Sequence, residues 1–78
     1  MGFNNFKGGY GAVFNASNEV AVRAFLNDEI PFLMIEEIID KCMNEYRNEK
    51  IENYEKLAEI DAKTRQKADK LIKEGRNK

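Results

Sequence analysis

Apolar residues recur along this chain at helical spacing in separate stretches, with polar residues filling the positions between them. The most regular stretch is Ile35, Ile38, Ile39, Cys42, Met43 and Tyr46, which falls at i, i+3, i+4, i+7, i+8 and i+11. That spacing predicts one apolar stripe over three helical turns. Glu36, Glu37, Asp40 and Lys41 face away from the stripe, with acids toward the N-terminus, where the helix dipole favours them. Just before it, Ile30 to Leu33 reads as a short extended connector, because Pro31 keeps Ile30 out of the helical region.

A helix is also predicted over Ala12 to Asn27. Val20 with Ala24, Ala21 with Phe25 and Val22 with Leu26 are each four apart, and the many alanines imply close approach of a neighbouring helix. Asn15 and Ser17 both suit the N-cap. Glu19 then falls in the first turn, and Asn27-Asp28 supplies a left-handed stop. Downstream, Asn44 to Glu52 is a polar connection, and Asn53 is a good N-cap for a further helix. Tyr54, Leu57 and Ala58, then Ala68, Leu71 and Ile72, form two further apolar clusters on a helical period. Asp61 lies between them. It either sits mid-helix, paired with Arg65 at i+4, or caps a new helix and splits the stretch in two. Asp favours caps over interiors, which favours the split. Arg76 to Lys78 reads as a frayed end.

The expected architecture is therefore all-α, a small bundle of three to four helices. Residues 1–11 form a flexible start and glycine-rich turn, residues 12–74 the helical domain, and residues 75–78 the tail. Length agrees with this, since 78 residues allow one domain at most. With 42% apolar and 35% charged residues, the chain is too apolar for a disordered tail and too charged for a membrane span. The longest apolar run, Ile30 to Ile35, is far short of the roughly 20 residues that cross a bilayer. Nor does Met1 to Gly11 carry the apolar core of a signal peptide.

Charge is unevenly spread. Residues 1–40 carry net −4 and residues 41–78 net +3. A basic half raises the question of nucleic acid, but its bases alternate with acids, as Glu52 with Lys56 and Glu59 with Lys63. Such alternation is the pattern of a solvated helix face, and no nucleic-acid partner is expected.

Candidate chemistry is sparse. The chain has no His, which removes an imidazole base, a His-ligated zinc and a Ser-His-Asp triad. Its one cysteine, Cys42, allows no internal disulfide and lies within the apolar stripe as a small buried hydrophobe. Gly8-Gly9-Tyr10-Gly11 matches neither a dinucleotide nor a P-loop spacing and reads as a helix C-cap and turn. The acids Asp28 with Glu29, Glu36 with Glu37, and Asp40 fall on exposed faces or turns. Nothing there buries a carboxylate to raise its pKa, and adjacent helix positions diverge. No catalytic, cofactor-binding or metal-binding residue is therefore assigned, and the chain alone is expected to be inactive.

One segment is more specific. Ala12-Val13-Phe14-Asn15-Ala16-Ser17-Asn18-Glu19-Val20-Ala21-Val22-Arg23-Ala24-Phe25-Leu26 resembles the C-terminal helical domain of 1-deoxy-D-xylulose 5-phosphate reductoisomerase, whose members carry a segment like A-V-L-N-A-A-N-E-x-A-V-x-A-F-L after a Gly-Gly turn. Ile30 to Ile35 is similar to the family's I-x-F-x-D-I connector, and Glu59 to Arg65 to its A-D-A-x-A-R segment, so the likeness covers roughly residues 7–74. Met34 departs from the family's usual Asp, a natural N-cap for a helix starting at Ile35. Phe14 replaces a usual Leu, and Asn44 to Glu52 is more compact than the usual linker.

The resemblance implies a larger enzyme. That enzyme isomerises and reduces 1-deoxy-D-xylulose 5-phosphate to 2-C-methyl-D-erythritol 4-phosphate with NADPH and a divalent metal (Mg or Mn), in non-mevalonate isoprenoid biosynthesis in the cytoplasm. Its nucleotide, metal and phosphate residues lie upstream, so none carries over, and the remaining domains of the parent are the implied partners. The matched residues take structural roles. Asn15 or Ser17 starts the first helix, Asn18 and Glu19 bond backbone near that start or in the adjoining loop, and Asp61 caps the final helix or pairs with Arg65. If a helix normally precedes Gly8-Gly9, its loss exposes apolar surface and favours self-association. The alternative is a free-standing helical protein-interaction module that borrows this domain.

Overall fold

The structure is a computed structural model and describes residues 9–47 and 49–76. It contains three helices, α1 (Tyr10–Leu26), α2 (Phe32–Glu45) and α3 (Tyr54–Arg76), and no strand among the described residues. The expected flexible start as far as Gly8, and Asn77 and Lys78 of the frayed end, lie outside the described residues. Arg76 itself belongs to α3.

The first helix starts earlier than its polar residues suggest. Gly9 is the N-cap and makes no side-chain cap, while Asn15 and Ser17 lie well inside α1. Neither is a cap. The reason is burial: Val13, Ala16, Ser17, Ala21 and Ala24 form one continuous buried face, and Val13 extends it upstream of Asn15. Ser17 is fully buried and its hydroxyl donates 2.7 Å to the Val13 carbonyl, one turn back, which satisfies it inside a helix. The backbone N–H of Gly9 donates 3.0 Å to the Tyr46 hydroxyl, so a tyrosine from another part of the chain does the work of a cap.

Gly9 is also not the helix C-cap expected of it. Its φ of −100° is not left-handed. A Cβ there would meet the Tyr46 hydroxyl and come 2.6 Å from Ile60 Cδ1, so close approach is what excludes a side chain.

The end of α1 is as predicted. Asp28 takes φ 62°, its N–H donates 3.0 Å to Phe25 O, and the Glu29 N–H donates 2.8 Å to Ala24 O. This pair of bonds is a Schellman motif, with Asp28 in the position usually held by glycine. The following turn buries Ile30.

α2 begins at Phe32, three residues before Ile35, with extended Pro31 (φ −76°, ψ 161°) as an N-cap lacking a side-chain bond. The extended connector is correspondingly shorter than Ile30 to Leu33. Met34 thus lies within the first turn, where its N–H donates 3.0 Å to Pro31 O, and its position is not the cap. The apolar stripe holds: Ile38 and Cys42 are buried, Ile35, Ile39, Met43 and Tyr46 are partly so, and Glu36, Glu37, Asp40 and Lys41 are exposed.

Asn53 caps α3 as expected, its Oδ1 accepting the Lys56 N–H at 2.9 Å. The helix then runs unbroken for 23 residues, so Asp61 does not split it. Ile60, Thr64, Ala68 and Ile72 are all buried and each four apart, a single ridge that a break at Asp61 would interrupt. Thr64 is satisfied within the ridge by donating 2.8 Å to Ile60 O.

α1 packs against both other helices, which touch one another less. The core joins Val13, Ala21 and Ala24 of α1 and Ile30 of the turn to Ile38 and Cys42 of α2 and Ile60, Ala68 and Ile72 of α3. Lys67 and Glu45 add an ion pair between α3 and α2.

Candidate functional site

The fold brings together three of the six residues singled out from the sequence. Arg65 reaches from α3 to Glu19 of α1, Nη1 to Oε1 at 2.6 Å, and bonds Asp61 one turn back, Nε to Oδ2 at 2.8 Å. Asp61 first and Glu19 second push the guanidinium pKa up, against opposing desolvation. Glu19 is therefore mid-helix and bridges helices, and is not a first-turn anion. Asn15 and Asn18 line a shallow surface on the outer side of α1 with Glu19, Val22 and Leu26. Ser17 is buried on the inner side. The six residues do not form one site.

Beside Arg65 lies an open groove of about 290 Å³ between α1 and α3, lined by Val20, Arg23, Ala24, Gln66, Asp69 and Ile72 among others. It mixes both charges with apolar walls and holds no nucleophile with an adjacent base, the minimum for covalent or acid–base chemistry. Asp28, Glu29, Glu36, Glu37 and Asp40 are exposed. Among the described residues, no three His, Cys, Asp or Glu side chains gather as a metal site. Burial pushes the Cys42 thiol up, with Lys67 opposing, which keeps it protonated and unreactive. No helix among the described residues is long and apolar enough to cross a membrane.

Two residues make polar contacts that have no signal in the sequence. Tyr46 accepts the Gly9 N–H across 37 positions and also the Glu49 N–H at 3.2 Å, and its ring meets Tyr10 edge-on at 5.0 Å between centroids. Lys56 binds Glu49 at 2.7 Å, folding the connection back on α3. No local spacing announces either one.

What the arrangement offers is a packed helical unit, and the family comparison agrees. The family model described as the DXP reductoisomerase C-terminal domain matches residues 3–67. The chain belongs to this family. A 1-deoxy-D-xylulose 5-phosphate reductoisomerase of Clostridium novyi (strain NT) is 47% identical over 53 residues, covering 68% of this chain and 14% of that protein. The enzyme of the same name from Psychromonas ingrahamii is 41% identical over 61 residues, 78% of this chain and 15% of the relative. That of Bacillus cereus (strain AH187) is 50% identical over 54 residues, 69% of this chain and 14% of the relative. The chain thus spans about one seventh of the length of the reductoisomerases it matches. No solved structure matches it. The all-α fold seen here is the form this family's C-terminal domain takes in the present chain.

Proposed function

We propose that this chain forms the non-catalytic C-terminal helical domain of a 1-deoxy-D-xylulose 5-phosphate reductoisomerase that acts in the cytoplasm, in isoprenoid biosynthesis. The observation that carries the reading is the family match across residues 3–67, set against relatives of which this region makes up only 14% to 15%. The chemistry of such an enzyme, isomerisation followed by reduction with NADPH and a divalent metal, is then the work of its other domains. The residues described here do not fit the metal, since no three of their carboxylates gather, and no step is derived through it on this chain. Asn15, Ser17, Asn18, Glu19, Asp61 and Arg65 serve the helical unit itself. Ser17 is satisfied within the core of α1, and Glu19, Arg65 and Asp61 clasp α1 to α3.

The purified chain, given NADPH, Mg²⁺ or Mn²⁺ and the sugar phosphate, is expected to leave the 340 nm absorbance unchanged. Steady oxidation of NADPH that depends on the sugar phosphate would overturn the reading. The coding sequence upstream of Met1 is a second test, with an open frame into a nucleotide-binding domain as the expected finding.

A further inference from the structure

Three large apolar side chains stand in solvent at one corner of the bundle. Leu26 ends α1 and is 71% exposed, while Phe32 and Leu33 open α2 and are 68% and 77% exposed. The corner is rigidly built. The Schellman bonds fix the chain between the two helices, Ile30 is buried beneath it, and Phe32 meets Phe25 edge-on at 5.6 Å between centroids. Three exposed side chains of this size held at one tight turn are unusual in a domain that stands alone and typical of an interface.

The charges around the corner select the kind of partner. From Leu26 to Asp40 the chain carries five acids and no Lys or Arg. Of these, Asp28 and Glu29 lie in the turn and Glu36 and Glu37 in the first turns of α2, and all four are exposed. Arg23, in the last turn of α1, offsets one of them. The last turns of α3 reach the same end, with Gly75 against Met34, and from Asp69 to Arg76 carry net +1, which leaves the acids of the α1–α2 turn and early α2 in excess. Two copies meeting at this corner would juxtapose two acidic rims, a repulsive arrangement.

We propose that the Leu26–Phe32–Leu33 corner is the surface through which this domain docks on the rest of the reductoisomerase chain, against an apolar patch with a basic rim. This rests on the parent-enzyme reading above. It adds which face is covered, and that the contact is apolar at its centre and electrostatic at its edge. The relatives supply the occupant, since about six sevenths of their length lies outside the match.

Hydroxyl-radical footprinting tests it on two samples: this chain alone, and the chain substituted for the matching segment of the Clostridium novyi reductoisomerase. The expected result is a chimera that turns over 1-deoxy-D-xylulose 5-phosphate and in which oxidation of Leu26, Phe32 and Leu33 falls several-fold. Tyr54, 81% exposed at the other end of the bundle, serves as the internal control and keeps its rate. An active chimera whose corner is as reactive as in the isolated chain overturns the docking surface and leaves the parent-enzyme reading standing. A chimera without turnover overturns that reading and the surface with it. Dimerisation of the isolated chain that protects the corner assigns the face to a second copy and likewise overturns the proposal.

Discussion

α1 and α3 reach the same end by opposite means. α1 buries small side chains, Ala16, Ala21 and Ala24 among them, and starts on a hydroxyl supplied by a residue 37 positions away. α3 buries Ile60 and Ile72 along one ridge, keeps a heavily charged outer surface, and starts on its own neighbour Asn53. The first helix is held by its surroundings and the third largely by itself. Close approach stabilises α1 only while its buried face stays small, whereas α3 contributes bulk to the core. A helix of the first kind is sensitive to added volume, and one of the second kind to lost volume.

That contrast is breakable. Ile72→Ala removes bulk from the α3 ridge at a site 2% exposed and is expected to lower stability by about 2–5 kcal/mol in urea unfolding followed by circular dichroism. The reverse change in α1, Ala21→Leu at a site 0% exposed, is expected to cost about 1–3 kcal/mol through overpacking. If Ala21→Leu were neutral, α1 would not be the closely packed element described.

The two helix starts differ in the same way, one cap local and one distant. Asn53→Ala deletes a local cap and is expected to cost about 0.5–2 kcal/mol. Tyr46→Phe deletes only a hydroxyl and is expected to cost about 0.5–1.5 kcal/mol. The two differ in place: hydrogen exchange should quicken at Lys56 in the first variant and at Gly9 in the second, although residue 46 is far from Gly9 in sequence.

Smaller still is Asp61→Ala. A cap at Asp61 would make it cost ~1 kcal/mol. Within an unbroken helix, as a half-exposed partner of Arg65, it is expected to cost only about 0.3–0.5 kcal/mol, partly offset by the better helix propensity of alanine. A cost on the cap scale would restore the split helix.

The Glu49–Lys56 bridge gives the smallest effect and a pH signature. Lys56 holds the Glu49 carboxyl below its ordinary value, and Glu49 holds the Lys56 ammonium above its own. The carboxylate contribution is therefore present above the unfolded pKa of Glu49 and lost as pH falls through its lowered folded value. The lysine contribution is present below its unfolded pKa and lost as pH rises through its raised folded value. In thermal unfolding from pH 3 to 7, the slight acid loss due to this pair should disappear in Glu49→Gln and shrink with added salt.

Much of this is legible in the sequence, and the failures are instructive. The α2 stripe is readable because apolar periodicity is itself the cause of that helix's orientation in the core. The stop at Asp28 and the cap at Asn53 are readable because each works within a few residues of itself. The start of α1 is misplaced by sequence, since Asn15 and Ser17 are good caps in isolation but lie on a segment whose helix is extended upstream by Val13 and by the Tyr46 hydroxyl. Asp61 misleads for a similar reason, its preference for a cap being overridden by the buried ridge of Ile60, Thr64, Ala68 and Ile72 that runs through its position. Glu19 and Arg65 can be named from the sequence but not joined, because the two meet only when α1 and α3 pack.

Read along the chain alone, the residues are enough for the helical class, the stripe of α2, the stop of α1, the cap of α3 and, through the segment from Ala12 to Leu26, the family. These rest on interactions within one or two turns, where spacing along the chain equals spacing in space. Packing of the helices is what sets where α1 begins, that α3 is one helix, why Gly9 admits no side chain, and which apolar residues remain uncovered at the α1–α2 corner. Each of those depends on what another helix places alongside, which spacing within a single segment does not specify.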